Sequence, residues 1–78
     1  MQSKIFLREQ VSRALQQYFS ELNDSPANNI YQMVLAEVEI PLLQLTMQQA
    51  NGNQSLAAKW LGLSRGTLRK LLAKYNLS

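Results

Sequence analysis

The sequence predicts an all-α protein of four helices, and three observations carry that prediction. Apolar residues recur at steps of three and four along most of the chain. The breaks between these runs hold Pro, Gly, Asn and Ser where helix caps need them. No repeat, low-complexity stretch or flexible linker intervenes. In the first helix, over about residues 4–22, Leu7, Val11, Leu15, Tyr18 and Leu22 form one stripe, with Ala14 and Phe19 on the same side. The stretch "NDSPA" then breaks the pattern. Ser25 followed by Pro26 reads as an N-cap and a first-turn proline, whose missing N–H costs nothing there.

The second helix is expected over about residues 26–49. Ile30, Val34, Val38, Leu42 and Leu45 keep the helical spacing, while Met33, Leu35, Ile40, Leu43 and Met47 widen the apolar surface beyond one stripe. No Lys or Arg falls between Leu22 and Gln49, so the segment reads as a buried spine covered on several sides. Pro41 stands inside it and predicts a kink. One kinked helix is favoured over two helices parted near Ile40, because the apolar phase carries from Val38 to Leu42. At "NGN", Gly52 supplies a left-handed stop and Asn53 a new N-cap. A short third helix, about 54–61, ends at Gly62. Ser64 caps a fourth, about 65–75. The division of labour is thus residues 1–50, two helices for association, and residues 51–78, a helix-turn-helix.

Composition narrows the functions. A chain of 78 residues is near the lower limit for a self-sufficient core, and with no Cys and no His it can use neither disulfides nor the usual structural zinc sites. With 46% hydrophobic residues, self-association is the expected stabilising device. The amino terminus has no signal-peptide pattern, and no apolar run approaches the roughly 20 residues that span a bilayer. A cytoplasmic location without membrane, metal or cofactor is expected. Catalysis is not: Glu37 and Glu39, two apart, do not share a helix face, and no nucleophile–base pair or phosphate loop is present.

Charge is segregated. Residues 1–50 carry three basic and five acidic side chains; residues 51–78 carry Lys59, Arg65, Arg69, Lys70 and Lys74 and no acid. A basic lobe on a mildly acidic body points to a polyanion met at one face. Ala58 and Gly62, four apart, suit the close crossing of a helix-turn-helix, with Ala57, Leu61, Leu63, Leu68 and Leu71 facing its core. On the last helix Leu68, Leu71, Leu72 and Tyr75 form one apolar arc. Gly66, Arg69, Lys70, Ala73 and Lys74 lie opposite, with Arg65 and Thr67 at the edges. A merely solvated helix would mix charge signs, so contact with nucleic acid is the better reading. Arg65, in the first turn, can fork onto guanine. Thr67 and Arg69 reach bases or nearby phosphates, and Lys70 and Lys74 anchor phosphates. Asn53 and Ser55 open the third helix, where free N–H groups can hold a phosphate. Trp60, Tyr18, Phe19, Tyr31 and Tyr75 read as core or subunit-interface packing. The rivals are a helical module docking an acidic protein and, more weakly, an RNA binder without a stacking platform.

The stretch "LAEVEIPLLQLTMQQANGNQSLAAKWLGLSRGTLRKLLAKYNLS" resembles the Fis family, the factor-for-inversion-stimulation nucleoid proteins. "GNQ" and "SRGTLRK" are its most specific portions, and the likeness runs from Leu7 to Ser78. The resemblance implies a homodimer whose first two helices interlock with the partner's, and a transcriptional regulator of the nucleoid that binds and bends double-stranded DNA. Its recognition helices would sit too close for straight DNA, so bending and a narrowed, A·T-favouring centre follow. The family's DNA contacts map onto Asn53, Ser55, Ser64, Arg65, Thr67, Arg69, Lys70 and Lys74. Well-studied members carry Lys where Leu71 and Ala73 stand and Asn where Ser64 stands, so shallower wrapping of flanking DNA is expected. The turn at Asn51, Gly52 and Gln54 matches one that touches RNA polymerase, with Asn51 in place of an arginine. No counterpart of the recombinase-contacting arm precedes the first helix, so stimulation of recombination is not expected. The same ending is similar to NtrC-type activators, which makes an excised domain of such an activator the alternative. Met1 directly before the first helix favours a complete small protein.

Overall fold

The computed structural model describes the backbone of residues 3–22 and 28–77, and side chains from residue 6 onward. It is all-helical, with no strand among the described residues: α1 (Ser3–Leu22), α2 (Ile30–Gln49), α3 (Gln54–Leu61) and α4 (Arg65–Lys74). The chain divides into two compact units, residues 1–30 and 31–78.

The first unit is α1. Val11, Leu15, Tyr18 and Leu22 lie half-buried along the expected stripe. Phe6, Leu7 and Phe19 stay exposed. Tyr18 and Phe19 meet edge to face, their ring centroids 5.8 Å apart. Gln17 Nε2 donates to Glu21 Oε2 one turn on, at 2.9 Å.

The second unit is a small three-helix core. Leu43 and Ala50 from α2 and its end meet Ala57 and Ala58 of α3 and Leu68 and Leu72 of α4. Met47, Leu56, Leu61, Leu71, Tyr75 and Leu77 pack around them. Leu43, Met47 and Ala50 stand four and then three apart, so one face of α2 serves the helix-turn-helix. The second half of α2 therefore folds with α3 and α4, although the sequence pattern groups it with the helices for association.

α2 begins later than the apolar spacing predicts. Its first helical residue is Ile30, because Asn29 sits at φ 60, in the left-handed region that no α-helix can include. The cap expected at Ser25 with Pro26 lies outside the described residues. Through Pro41 the helix continues as one element. Thr46 Oγ1 donates to the Leu42 carbonyl at 2.7 Å in the following turn. The expectation of a spine covered on several sides is not met within one chain. In α2 only Leu43 is fully buried, while Tyr31, Val38, Leu42 and Leu45 are exposed. At about 100° per residue this exposed row lies on the side away from Leu43.

One device closes all three helices of this unit. A left-handed residue follows the last turn, and the next N–H reaches back five residues. Asn51 (φ 54) is followed by a bond from Gly52 N to Met47 O of 2.9 Å. Gly62 (φ 74) is followed by one from Leu63 N to Ala58 O of 2.9 Å. Asn76 (φ 56) is followed by one from Leu77 N to Leu72 O of 2.8 Å. The first stop is thus made by Asn51 together with Gly52, not by Gly52 alone. α4 ends at Lys74, one residue earlier than the apolar arc suggests.

Candidate nucleic-acid interface

The interface is built on α3, the turn at residues 62–64, and α4. Asn53, with extended backbone, caps α3: its side chain accepts from the Leu56 N–H at 3.0 Å. Ser64 caps α4 in the same way, its Oγ accepting from the Thr67 N–H at 3.1 Å. The Ser64 hydroxyl in turn donates to Thr67 Oγ1 at 3.0 Å. Thr67 is therefore held by the cap and presents its remaining donor outward. Ala58, 3% exposed, lies in the core that α3 shares with Leu68 and Leu72 of α4. Gly62 has open space where a Cβ would stand, so its positive φ, not crowding, calls for glycine there.

α4 separates its two sides cleanly. Leu68 and Leu72 are buried and Leu71 and Tyr75 half-buried, whereas Arg65, Gly66, Thr67, Arg69, Lys70, Ala73 and Lys74 are exposed. Every site residue expected from the sequence, Asn53, Ser55, Ser64, Arg65, Thr67, Arg69, Lys70 and Lys74, is exposed to solvent. Lys74 Nζ stands 5.3 Å from the Tyr75 ring centroid, within reach of a cation–π contact. Arg65 occupies the first turn of α4, which holds no acid. A cation there opposes the helix dipole, and the positive helix end and the guanidinium both attract an anion.

Spatial arrangement adds one residue, Gln54, to the cationic side of α4 read from the sequence. A groove of about 610 Å³ is lined by Gln54, Gly66, Arg69, Lys70 and Ala73. It joins the start of α3 to the cationic side of α4. Gln54, grouped by the sequence with the Asn51 turn, thus belongs to the same wall as Arg69 and Lys70. Gly66 is the second residue of α4, with an ordinary φ and nothing within 4 Å of a built Cβ. No feature of the chain itself requires it, and that was the signal available in the sequence.

Tyr75 ties the end of α4 to α2. Its hydroxyl donates a short hydrogen bond to Glu39 Oε1, across 36 residues of sequence. That bond first, then desolvation and the carboxylate charge, raise the phenol above its ordinary range. Leu71, where the family resemblance places a lysine, packs instead against the core; Ala73 lies in the groove. No helix is long and apolar enough to cross a membrane, and no acidic, His or Cys cluster could hold a metal, among the described residues.

Known proteins carry the same pattern. Residues 34–75, which include all of α3 and α4, match the family described as "Bacterial regulatory protein, Fis family". "DNA-binding protein Fis" of Proteus mirabilis and that of Sodalis glossinidius are each 51% identical over 72 residues, covering 92% of this chain and 74% of the relative. "DNA-binding protein Fis" of Escherichia coli O1:K1 is similar to the same extent. A helix-turn-helix with one cationic face, joined to likeness of this depth along nearly the whole chain, leads to one assignment: the chain belongs to the Fis family of bacterial regulatory proteins.

Proposed function

We propose that this protein is a homodimeric regulator of the bacterial nucleoid that binds double-stranded DNA and bends it. One observation carries the reading: α4 exposes only cationic, small or hydroxyl side chains on its outer side, with no acid anywhere from residue 51 onward. Curated relatives bear the name DNA-binding protein Fis, which supports the same ligand for this chain. Arg65 and Thr67 read base edges in the major groove. Ser64, Arg69, Lys70 and Lys74 fix the register on phosphates, and Asn53, Ser55 and Gln54 hold the backbone where α3 begins.

The dimer follows from unmet burial. Phe6, Leu7 and Phe19 on α1 and Tyr31, Val38, Leu42 and Leu45 on α2 are large, apolar and exposed in the single chain. Interlocking α1 and α2 of two copies would cover them. Two α4 helices set closer than the roughly 34 Å between successive major grooves would oblige the duplex to curve. Preference would then rest partly on the deformability of untouched central base pairs. The turn at Asn51 and Gly52 is free to meet RNA polymerase. The cytoplasmic nucleoid is the corresponding place of action.

Gel shifts on A·T-centred and G·C-centred duplexes, comparing Arg65→Ala with Lys74→Ala, test the assignment. Arg65→Ala is expected to cost about 1–3 kcal/mol and to erase preference at one base pair. Lys74→Ala should weaken all sequences alike and reduce the salt slope by about 0.9. Equal loss on every sequence for both variants would refute base readout by Arg65.

A further inference from the structure

A second groove, of about 460 Å³, lies between α2 and α3, lined by Leu42, Leu45, Thr46, Gln49, Trp60 and Leu61. None of these residues is charged. Trp60 is 54% exposed, Leu42 48% and Leu45 58%. Leaving so much aromatic and branched surface in water is unfavourable, and a groove of this kind calls for an apolar occupant.

We propose that the occupant is a second copy of this chain, so that the self-association face runs off α2 and onto α3 through Trp60. The inference rests on the homodimer proposed above and extends it to the helix-turn-helix itself. Continuity is the first argument. Tyr31, Val38, Leu42 and Leu45 succeed one another at steps of seven, four and three along one side of α2, and Trp60 adjoins the carboxyl end of that row. Charge is the second. DNA would need cations, and the groove has none; an acidic partner would find nothing to pair with. Supply is the third: Phe6, Leu7 and Phe19 are each more than half exposed on α1, so a copy of the chain carries suitable apolar side chains. Because a two-fold pair repeats every patch, both grooves are filled by the same contact.

The consequence is mechanical. If the second copy touches α3, the distance between the two DNA-reading helices is set by the interface directly, not through the α2–α3 turn alone.

Trp60 is the sole tryptophan, so its fluorescence reports on the groove without labels. Sedimentation and Trp60 emission are followed together through a dilution series, with acrylamide as quencher. A shielded, blue-shifted Trp60 in the dimer, becoming red-shifted and several-fold more quenchable at the same midpoint as dissociation, is the expected result. Leu45→Lys should shift that midpoint at least ten-fold upward. A dimer whose Trp60 stays open to quencher overturns the inference and leaves the homodimer standing. So does shielding that appears only when duplex DNA is added, or a Leu45→Lys dimer as tight as the wild type. A single chain at every concentration removes the homodimer and this inference with it. If Leu45→Lys does not fold, the wild-type series alone decides.

Discussion

Gly66 and Arg65 both break a local rule of helix stability. A glycine costs about 0.5–1 kcal/mol relative to alanine in mid-helix and less in the first turn, where Gly66 stands. A cation in the first turn opposes the dipole by about 0.3–1 kcal/mol. Neither is repaid inside the chain: Gly66 faces open space, and the first turn of α4 holds no acid. Both lie on the side of α4 that also carries Arg69 and Lys70, where a close-fitting polyanion would repay them. Gly66→Ala is therefore expected to raise thermal stability while lowering affinity for duplex DNA several-fold. A melting curve and a titration on the same preparation check it. If both quantities rose, the close approach at Gly66 would be wrong. These two departures were legible in the sequence, since a glycine or a first-turn arginine in a helix is visible without coordinates.

At the scale of elements, the caps were the most readable feature. Asn53 and Ser64 cap α3 and α4 where expected, because each places a short side-chain acceptor before a helical apolar run. Gly62 makes the turn that aims α4. Gly62→Ala forces an L-residue to φ 74, with an expected cost of about 1 kcal/mol or more and lower affinity for DNA in proportion to the unfolded or misaimed fraction. Urea denaturation measures it; an unchanged midpoint would show that the turn tolerates a side chain. The start of α2 was less readable, since the left-handed Asn29 has no marker beyond its residue type. The second place of Gln54, in the groove, was not readable either. Its place beside Arg69 and Lys70 depends on how α3 crosses α4, which spacing along one helix does not encode.

At the scale of the whole molecule, the Tyr75–Glu39 hydrogen bond ties the end of α4 to α2 across 36 residues of sequence. A phenol raised above its unfolded value stabilises the fold fully below about pH 10, and the contribution is lost as pH rises through the folded value. The wild type should thus lose stability on the alkaline side, and Tyr75→Phe should start lower and lose less over the same window. Melting temperatures at neutral and alkaline pH give the comparison; parallel curves would remove the bond from the account. Six fully buried residues form the core of the second unit, while Trp60 and four large side chains of α2 remain exposed. Apolar periodicity cannot say whether a stripe is covered by its own chain or by another copy, so the sequence led to an overcovered α2.

Periodicity, capping residues and the segregation of charge by themselves determined the helical class, the helix-turn-helix and the cationic side of α4. These are local properties, set by side-chain spacing along one helix and by which residues tolerate a given φ. Only the tertiary structure decided that α2 shares its core with α3 and α4, that Gln54 joins the groove of Arg69 and Lys70, and that Trp60 borders an open apolar groove. Those facts depend on which faces of separate helices meet. That is settled by packing between residues distant in sequence, where no spacing rule reaches.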